Sequence, residues 1–212
     1  IAAARKAEIP RRTVEAGQRM DFGDGVTAEV LSPPAEVFYG TSGDINENSL
    51  VLRFVYGKRE FLFTADAGFD AEHRMLASHL DVRADVLKVG HHGSKGSTSW
   101  EFLKAVRPEV AVISCGYKNP YGHPHKDTIK RLRDVGARIY RTDWDGAVTI
   151  KTDGRSLSVE AYKRRRSAAE GLPIPWGAGH FRSQAPHYRI KELPQRVCRL
   201  LGAAQPVLDR AG

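Results

Sequence analysis

Three short stretches hold the side chains best able to do chemistry. Thr64-Ala65-Asp66 puts a carboxylate just beyond the apolar run Phe61-Leu62-Phe63. Lys88-Val89-Gly90-His91-His92-Gly93-Ser94 puts two imidazoles after a second apolar run, and Asn119-Pro120-Tyr121-Gly122-His123-Pro124-His125 follows a third. A carboxylate with several imidazoles is a donor mix that Zn²⁺ or Mn²⁺ accepts. A metal held this way lowers the pKa of a bound water and makes a hydroxide nucleophile near neutral pH. Each stretch also has a plainer reading: an Asp at a strand end closes a turn or caps a helix, and His beside Gly or Pro serves loop hydrogen bonds. What joins them is position. Each begins where a predicted strand leaves its sheet, so the three can converge at one edge, where loops carry function on a rigid scaffold.

Around this set stand accessory candidates. Asn46 and Asn48 precede a strand and either orient a water or substrate through their amides or form an Asx turn. Ser94 and Ser97 either contact a phosphate or cap the next helix. Lys88, inside a strand, points to solvent or towards a bound anion. Thr142, Asp143 and Asp145 before Gly146 read as a turn.

The elements that must position these residues are short. Residues 26–31 read as a strand ended by Pro33-Pro34, and residues 49–56 and 60–66 as a hairpin across Gly57-Lys58-Arg59. Residues 70–80 suit a surface helix. Residues 84–89 and 109–114 are near-continuous apolar runs, hence buried strands. Residues 97–106 and 127–135 carry helical apolar spacing, the second closed by Gly136. Residues 137–140, 147–152 and 157–162 read as strands. Strands first, then helix and strand in alternation, then strands again predicts a layered α/β fold.

The composition is that of an ordinary globular protein: 41% hydrophobic and 27% charged over 212 residues. Those values exclude collagen-like and wholly disordered classes. No window approaches the roughly 18 apolar residues of a membrane span, and Cys115 and Cys198 form no Cys-x-x-Cys or disulfide framework. Charge is uneven. Residues 163–212 hold 10 basic and 3 acidic side chains, including Lys163-Arg164-Arg165-Arg166, against 23 basic and 22 acidic before them. The predicted organisation is a folded unit over residues 1–162 and a basic, Pro-rich, loosely ordered extension over 163–212. A short helix is expected near residues 189–201. The extension reads as a contact for nucleic-acid phosphate or anionic lipid, or as a solvated terminus.

With these elements in place, the string SLVLRF…FLFTAD…EHRML…ADVLKVGHHGS…FLKAVRPEVAVIS-CG…NPYGHPH…IKRL…RIYRTDWDGAVTI resembles the metallo-β-lactamase-like domain of the DNA-uptake competence protein family ComEC, in colinear order from about Asn46 to Thr152. The resemblance implies an αββα sandwich hydrolase with two divalent ions, Zn or Mn, and no small-molecule cofactor. It implies that Asp66 bridges the ions and that His91 and His123 are ligands or touch the ligand shell. His92 and Ser94 would steady the site, and Asn48, where many relatives carry a histidine, would position water or substrate. Two departures stand out. The superfamily's HxHxDH string is absent, and the 45 residues before Asn46 contain no histidine. The N-terminal half of the domain, with half the ligands, is therefore expected to lie upstream of Ile1 or to be lost. Ala65 also stands where the family usually has Gly, which adopts backbone angles that Ala resists.

The expected reaction is metal-assisted phosphodiester hydrolysis of DNA during uptake, with Asp66, His91, His92 and His123 catalytic and Asn48, Ser94 and Lys88 supporting. These 212 residues alone are expected to bind divalent metal weakly and to lack nuclease activity. The implied partners are DNA and an upstream membrane-spanning part of the same protein, with this domain outside the cytosol. The alternatives are a free-standing hydrolase of another ester or phosphoester, and a non-catalytic DNA-binding module that works through its basic extension.

Overall fold

The computed structural model describes residues 2–41 and 43–162. Its framework grows from a meander of hairpins. An Asp-Gly pair, both residues at positive φ (Asp24 52°, Gly25 77°), turns β1 (Arg19–Gly23) into β2 (Val26–Ser32). Such two-residue turns match the right-handed twist of the flanking strands. β2 pairs antiparallel with β3 (Val51–Tyr56), and β3 with β4 (Arg59–Phe63). From there the pairing becomes parallel: β4 to β5 (Val86–Lys88), β5 to β6 (Val110–Ile113), β6 to β7 (Arg138–Arg141).

Parallel neighbours need crossovers, and three helices supply them: α3 (Phe69–Ala77), α4 (Trp100–Val106) and α5 (Lys126–Asp134). Short helices α1 (Ala2–Lys6), α2 (Asp44–Glu47) and α6 (Thr142–Asp145) complete the set. The seven strands lie in sequence order, β1 to β7. A separate two-stranded sheet, β8 (Val148–Thr152) with β9 (Leu157–Ala161), follows. Its turn docks on the β3–β4 turn, where Lys58 N donates to Gly154 O (2.7 Å). Gly57 and Gly154 meet there so closely that a Cβ on Gly57 would sit 2.5 Å from Gly154 O.

Side chains alternate across a strand, which gives the seven-stranded sheet two unlike faces. Val51, Leu62, Leu87, Ala111 and Ile113 pack with Ala71 and Met75 of α3, Phe102, Leu103 and Val106 of α4, and Leu132 of α5 in one core. The opposite face carries the register row Leu52, Phe63, Lys88, Val112, Tyr140, all half-buried. Phe22, Phe54 and Phe63 meet there with ring centroids 5.5 and 5.6 Å apart.

The layered α/β class matches the expectation, and the strands fall close to their predicted places. The strand predicted over residues 60–66 stops at Phe63, because Ala65 turns left-handed (φ 43°). The helix predicted from residue 97 starts at Trp100. Thr98 is left-handed and Ser99 is the cap, accepting from Phe102 N (3.2 Å). β1 was not anticipated. The extension over residues 163–212, and the helix expected in it, lie outside the described residues.

Candidate metal centre

The C-terminal ends of β4 to β7 share one edge of the sheet, the place where open α/β sheets bind ligands. At the end of β4 the chain reverses through residues 64–67. Thr64 Oγ1 donates to Lys88 O (2.9 Å), Ala67 N to Thr64 O (3.0 Å), and Asp66 N to Ser49 Oγ (3.2 Å). The left-handed residue in this turn is Ala65. The family's usual Gly would hold that angle without the cost that a Cβ brings.

After β5 comes a tighter turn. His91 (φ 46°), His92 (φ 56°) and Gly93 (φ 81°) are all left-handed, and His91 N donates to Ala65 O (2.9 Å), fastening this turn to the Asp66 turn. The glycines of this turn are closely packed, and at Gly93 no side chain fits without a shift. A Cβ on Gly90 would lie 3.1 Å from Thr64 Oγ1, and one on Gly93 would lie 2.6 Å from Pro124 Cβ. Consecutive left-handed residues are costly outside glycine, and such strain is held at sites by the surrounding structure.

The third stretch is folded around Asn119. Its Nδ2 donates to Gly116 O (2.9 Å) and His123 O (2.6 Å), and its Oδ1 accepts from His123 N (3.1 Å). His125 N donates to Gly93 O (2.8 Å), joining this loop to the histidine turn. The His125 side chain caps α5 by accepting from Asp127 N (3.2 Å).

The three stretches therefore meet. His92, rather than His91, stands beside Asp66, with Nε2 3.7 Å from Asp66 Oδ1. Nδ1 of His92 lies 2.7 Å from Ser114 O. A carbonyl only accepts, so that nitrogen carries a proton, and Nε2 is the ring nitrogen turned towards the carboxylate. At 3.7 Å the two atoms are too far apart for a hydrogen bond. The gap matches one cation taking both at the roughly 2.0–2.2 Å of Zn–N and Zn–O bonds. His91 instead packs edge-on against His123, rings 5.8 Å apart. Burial, then the charges of His91, His92 and His125, holds the His123 imidazole below its ordinary pKa, with Asp66 opposing. It is neutral at neutral pH, as a ligand must be. The donors fit a borderline divalent ion in kind, and Asp66 with His92 fits in spacing. Among the described residues, however, no three His, Cys, Asp or Glu side chains stand close enough to hold an ion.

The supporting residues divide. Lys88 does not reach into solvent. It lies on the sheet face opposite the helices, and its Nζ donates to Val89 O (3.3 Å). Burial lowers its pKa, against the pull of Asp66 and Cys115. Ser94 works through its backbone, accepting from Thr128 Oγ1 (2.8 Å). Asn48 stands apart from these. Its amide is engaged entirely with backbone, accepting from Phe38 N (2.8 Å) and donating to Phe38 O (3.0 Å) and Asp44 O (2.7 Å). It shapes the loop before β3. Thr142 Oγ1 bonds both backbone groups of Cys115, and Asp143 pairs with Arg141 and pushes the Cys115 thiol, already raised by burial, up to about 11.

One pair escaped notice in the sequence. Glu72, fully buried on α3, accepts from Thr98 N and Ser99 N. Arg131 on α5 donates to Ser97 O (3.0 Å) and Thr98 O (2.8 Å) of the same segment, and Ser97 Oγ donates to Gly90 O (2.9 Å). Together they clamp the strand-to-helix loop that begins with the two histidines.

In sequence, this chain is similar to known proteins. Residues 17–117 match the metallo-beta-lactamase superfamily. They belong to it. The chain that carries this metallo-beta-lactamase segment is 34% identical over 162 residues to ComE operon protein 3 of Bacillus subtilis, covering 76% of this chain and 20% of that protein. It is 40% identical over 126 residues to competence protein ComA of Neisseria gonorrhoeae, covering 59% and 18%. It is 34% identical over 154 residues to recombination protein 2 of Haemophilus influenzae, covering 73% and 18%. The chain spans about a fifth of the length of these relatives. The resemblance to the ComEC family read from the three motifs holds. No helix among the described residues is long and apolar enough to cross a membrane.

Proposed function

We propose that Asp66, His91, His92 and His123 form one wall of a divalent-metal centre for phosphodiester hydrolysis, acting on DNA in competence. Support comes from a hydrolase superfamily and from relatives whose names include competence proteins. The observation that carries the reading is the approach of Asp66 Oδ1 and His92 Nε2, which face each other 3.7 Å apart. Divalent ions supply Lewis acidity, lowering the pKa of coordinated water and neutralising phosphate charge. Asp66 and His92 would hold one ion, while His91 and His123 offer further imidazole nitrogens from the adjoining turns. The half-buried ammonium of Lys88, on the Asp66 side, stabilises negative charge that gathers there. Two ions need more donors than these, so the reading requires others from outside the described residues. On the same reading DNA and a membrane-spanning part of the same protein are the partners.

The test is Asp66→Ala in the protein as the cell makes it. Metal-dependent phosphodiesterase activity is expected to fall by roughly a hundredfold or more, with weaker Zn²⁺ or Mn²⁺ binding by calorimetry. Activity at the parent level would end the reading.

A further inference from the structure

The left-handed turn through His91, His92 and Gly93 is costly backbone, and the groups that hold it lie mostly outside it. Two fully buried residues, Ser97 and Thr128, grip its ends. Ser97 Oγ donates to Gly90 O (2.9 Å), just before the histidines, and Thr128 Oγ1 donates to Ser94 O (2.8 Å), just after them. The second bond is unusual for its residue. A helical threonine commonly turns its hydroxyl back to its own chain one turn earlier. Thr128, in the first turn of α5, reaches instead across 34 residues of sequence to the histidine turn. Arg131 donates to Thr128 Oγ1 (3.0 Å) and to Ser97 O (3.0 Å), so one guanidinium engages both gripping residues. Beside Thr128, His125 N donates to Gly93 O (2.8 Å), so the start of α5 holds two consecutive carbonyls that follow His92. The chain leading into this helix start carries His123, whose ring lies 5.8 Å from that of His91. The histidine turn is tied on its other side to the Asp66 turn, through His91 N on Ala65 O. Strained backbone persists only where its surroundings over-determine it, and at metal centres the groups behind the ligands set their aim.

We infer that Thr128 is a positioning residue of the metal centre: its hydroxyl, with that of Ser97 at the other end of the turn, holds His91 and His92 in place against Asp66 and His123. This rests on the reading of those four side chains as a metal-binding wall. The test uses Thr128→Val, which keeps the shape and loses the hydroxyl, and Thr128→Ser, which keeps the hydroxyl and loses the methyl. Ser97→Ala removes the grip at the other end. Each is made in the protein as the cell makes it, stripped of metal, and read by calorimetric titration with Zn²⁺ and by hydrogen exchange with mass spectrometry. Thr128→Val is expected to bind Zn²⁺ about tenfold more weakly. It should also exchange faster over residues 90–94, while β2 and β3 exchange as in the parent. Ser97→Ala should follow it, and Thr128→Ser should stay near the parent in both measurements. A role in packing alone reverses that order, because the methyl then matters more than the hydroxyl. Parent affinity in Thr128→Val, parent exchange over residues 90–94, faster exchange throughout the sheet, or a Thr128→Ser as weak as Thr128→Val would overturn the inference. Asp66→Ala separates it from the reading beneath it. Parent affinity for Zn²⁺ in Asp66→Ala would sink the metal centre itself, whereas a weakened Asp66→Ala beside an unaffected Thr128→Val would remove this inference alone.

Discussion

Ala65 carries left-handed backbone where a Cβ is unwelcome (φ 43°), and nothing else about the Asp66 turn needs that methyl. Ala65→Gly should therefore raise stability by up to about 1 kcal/mol in urea unfolding, the strain relieved being partly offset by the freer unfolded chain. Gly93→Ala should do the reverse. Its new Cβ meets Pro124 at 2.6 Å in a left-handed residue, and a loss of about 2 kcal/mol or more is expected by the same measurement. The sequence made the candidates legible at this scale, because Asp66, His91, His92 and His123 each follow a strand end. Their pairing was not legible. Which imidazole faces Asp66 depends on two successive left-handed histidines, and spacing along the chain carries no record of that. The partners of Asn48 were illegible for a related reason: its amide bonds to the backbone of Phe38 and Asp44, and only coordinates show that.

At the scale of elements, the histidine turn depends on α3 and α5 as much as on its own strand. Glu72 accepts two backbone N–H groups deep in the core, and burial pushes its carboxyl up to about 7 despite those bonds and Arg131. Its pKa is thus higher folded than unfolded, so the native state binds the proton more tightly. Stability from this group is fully present below the unfolded value, near 4.5, and is lost as pH rises through about 7. Across that window the parent should lose on the order of 3 kcal/mol relative to a Glu72→Gln variant, read from paired denaturation curves at each pH. A flat difference would contradict the assignment. The predicted strands and crossover helices were legible from apolar periodicity, whereas β1 was not taken up, although Met20 and Phe22 alternate before an Asp-Gly turn. The clamp was hidden because a lone Glu in an amphipathic helix looks like a surface residue.

At the scale of the molecule, charge divides where the described residues end. Ten of the basic side chains fall in residues 163–212, which hold a net +7. Removing them should weaken binding of any polynucleotide at low salt and flatten the dependence of log K on log salt, by up to about 0.7–0.9 for each phosphate no longer neutralised. An unchanged salt slope would show that the extension neutralises no phosphates.

Strand order in space repeats strand order in the chain, and this has a consequence for assembly. As the polypeptide emerges, β1 to β4 can zip as successive local hairpins, with little loop entropy to overcome. Each later strand then needs a helical crossover before it finds its neighbour. The Asp66 turn closes the early half, whereas the turns bearing both histidines and His123 sit on the later, slower one, so a partly synthesised molecule would own a sheet and one carboxylate before it owned the imidazoles.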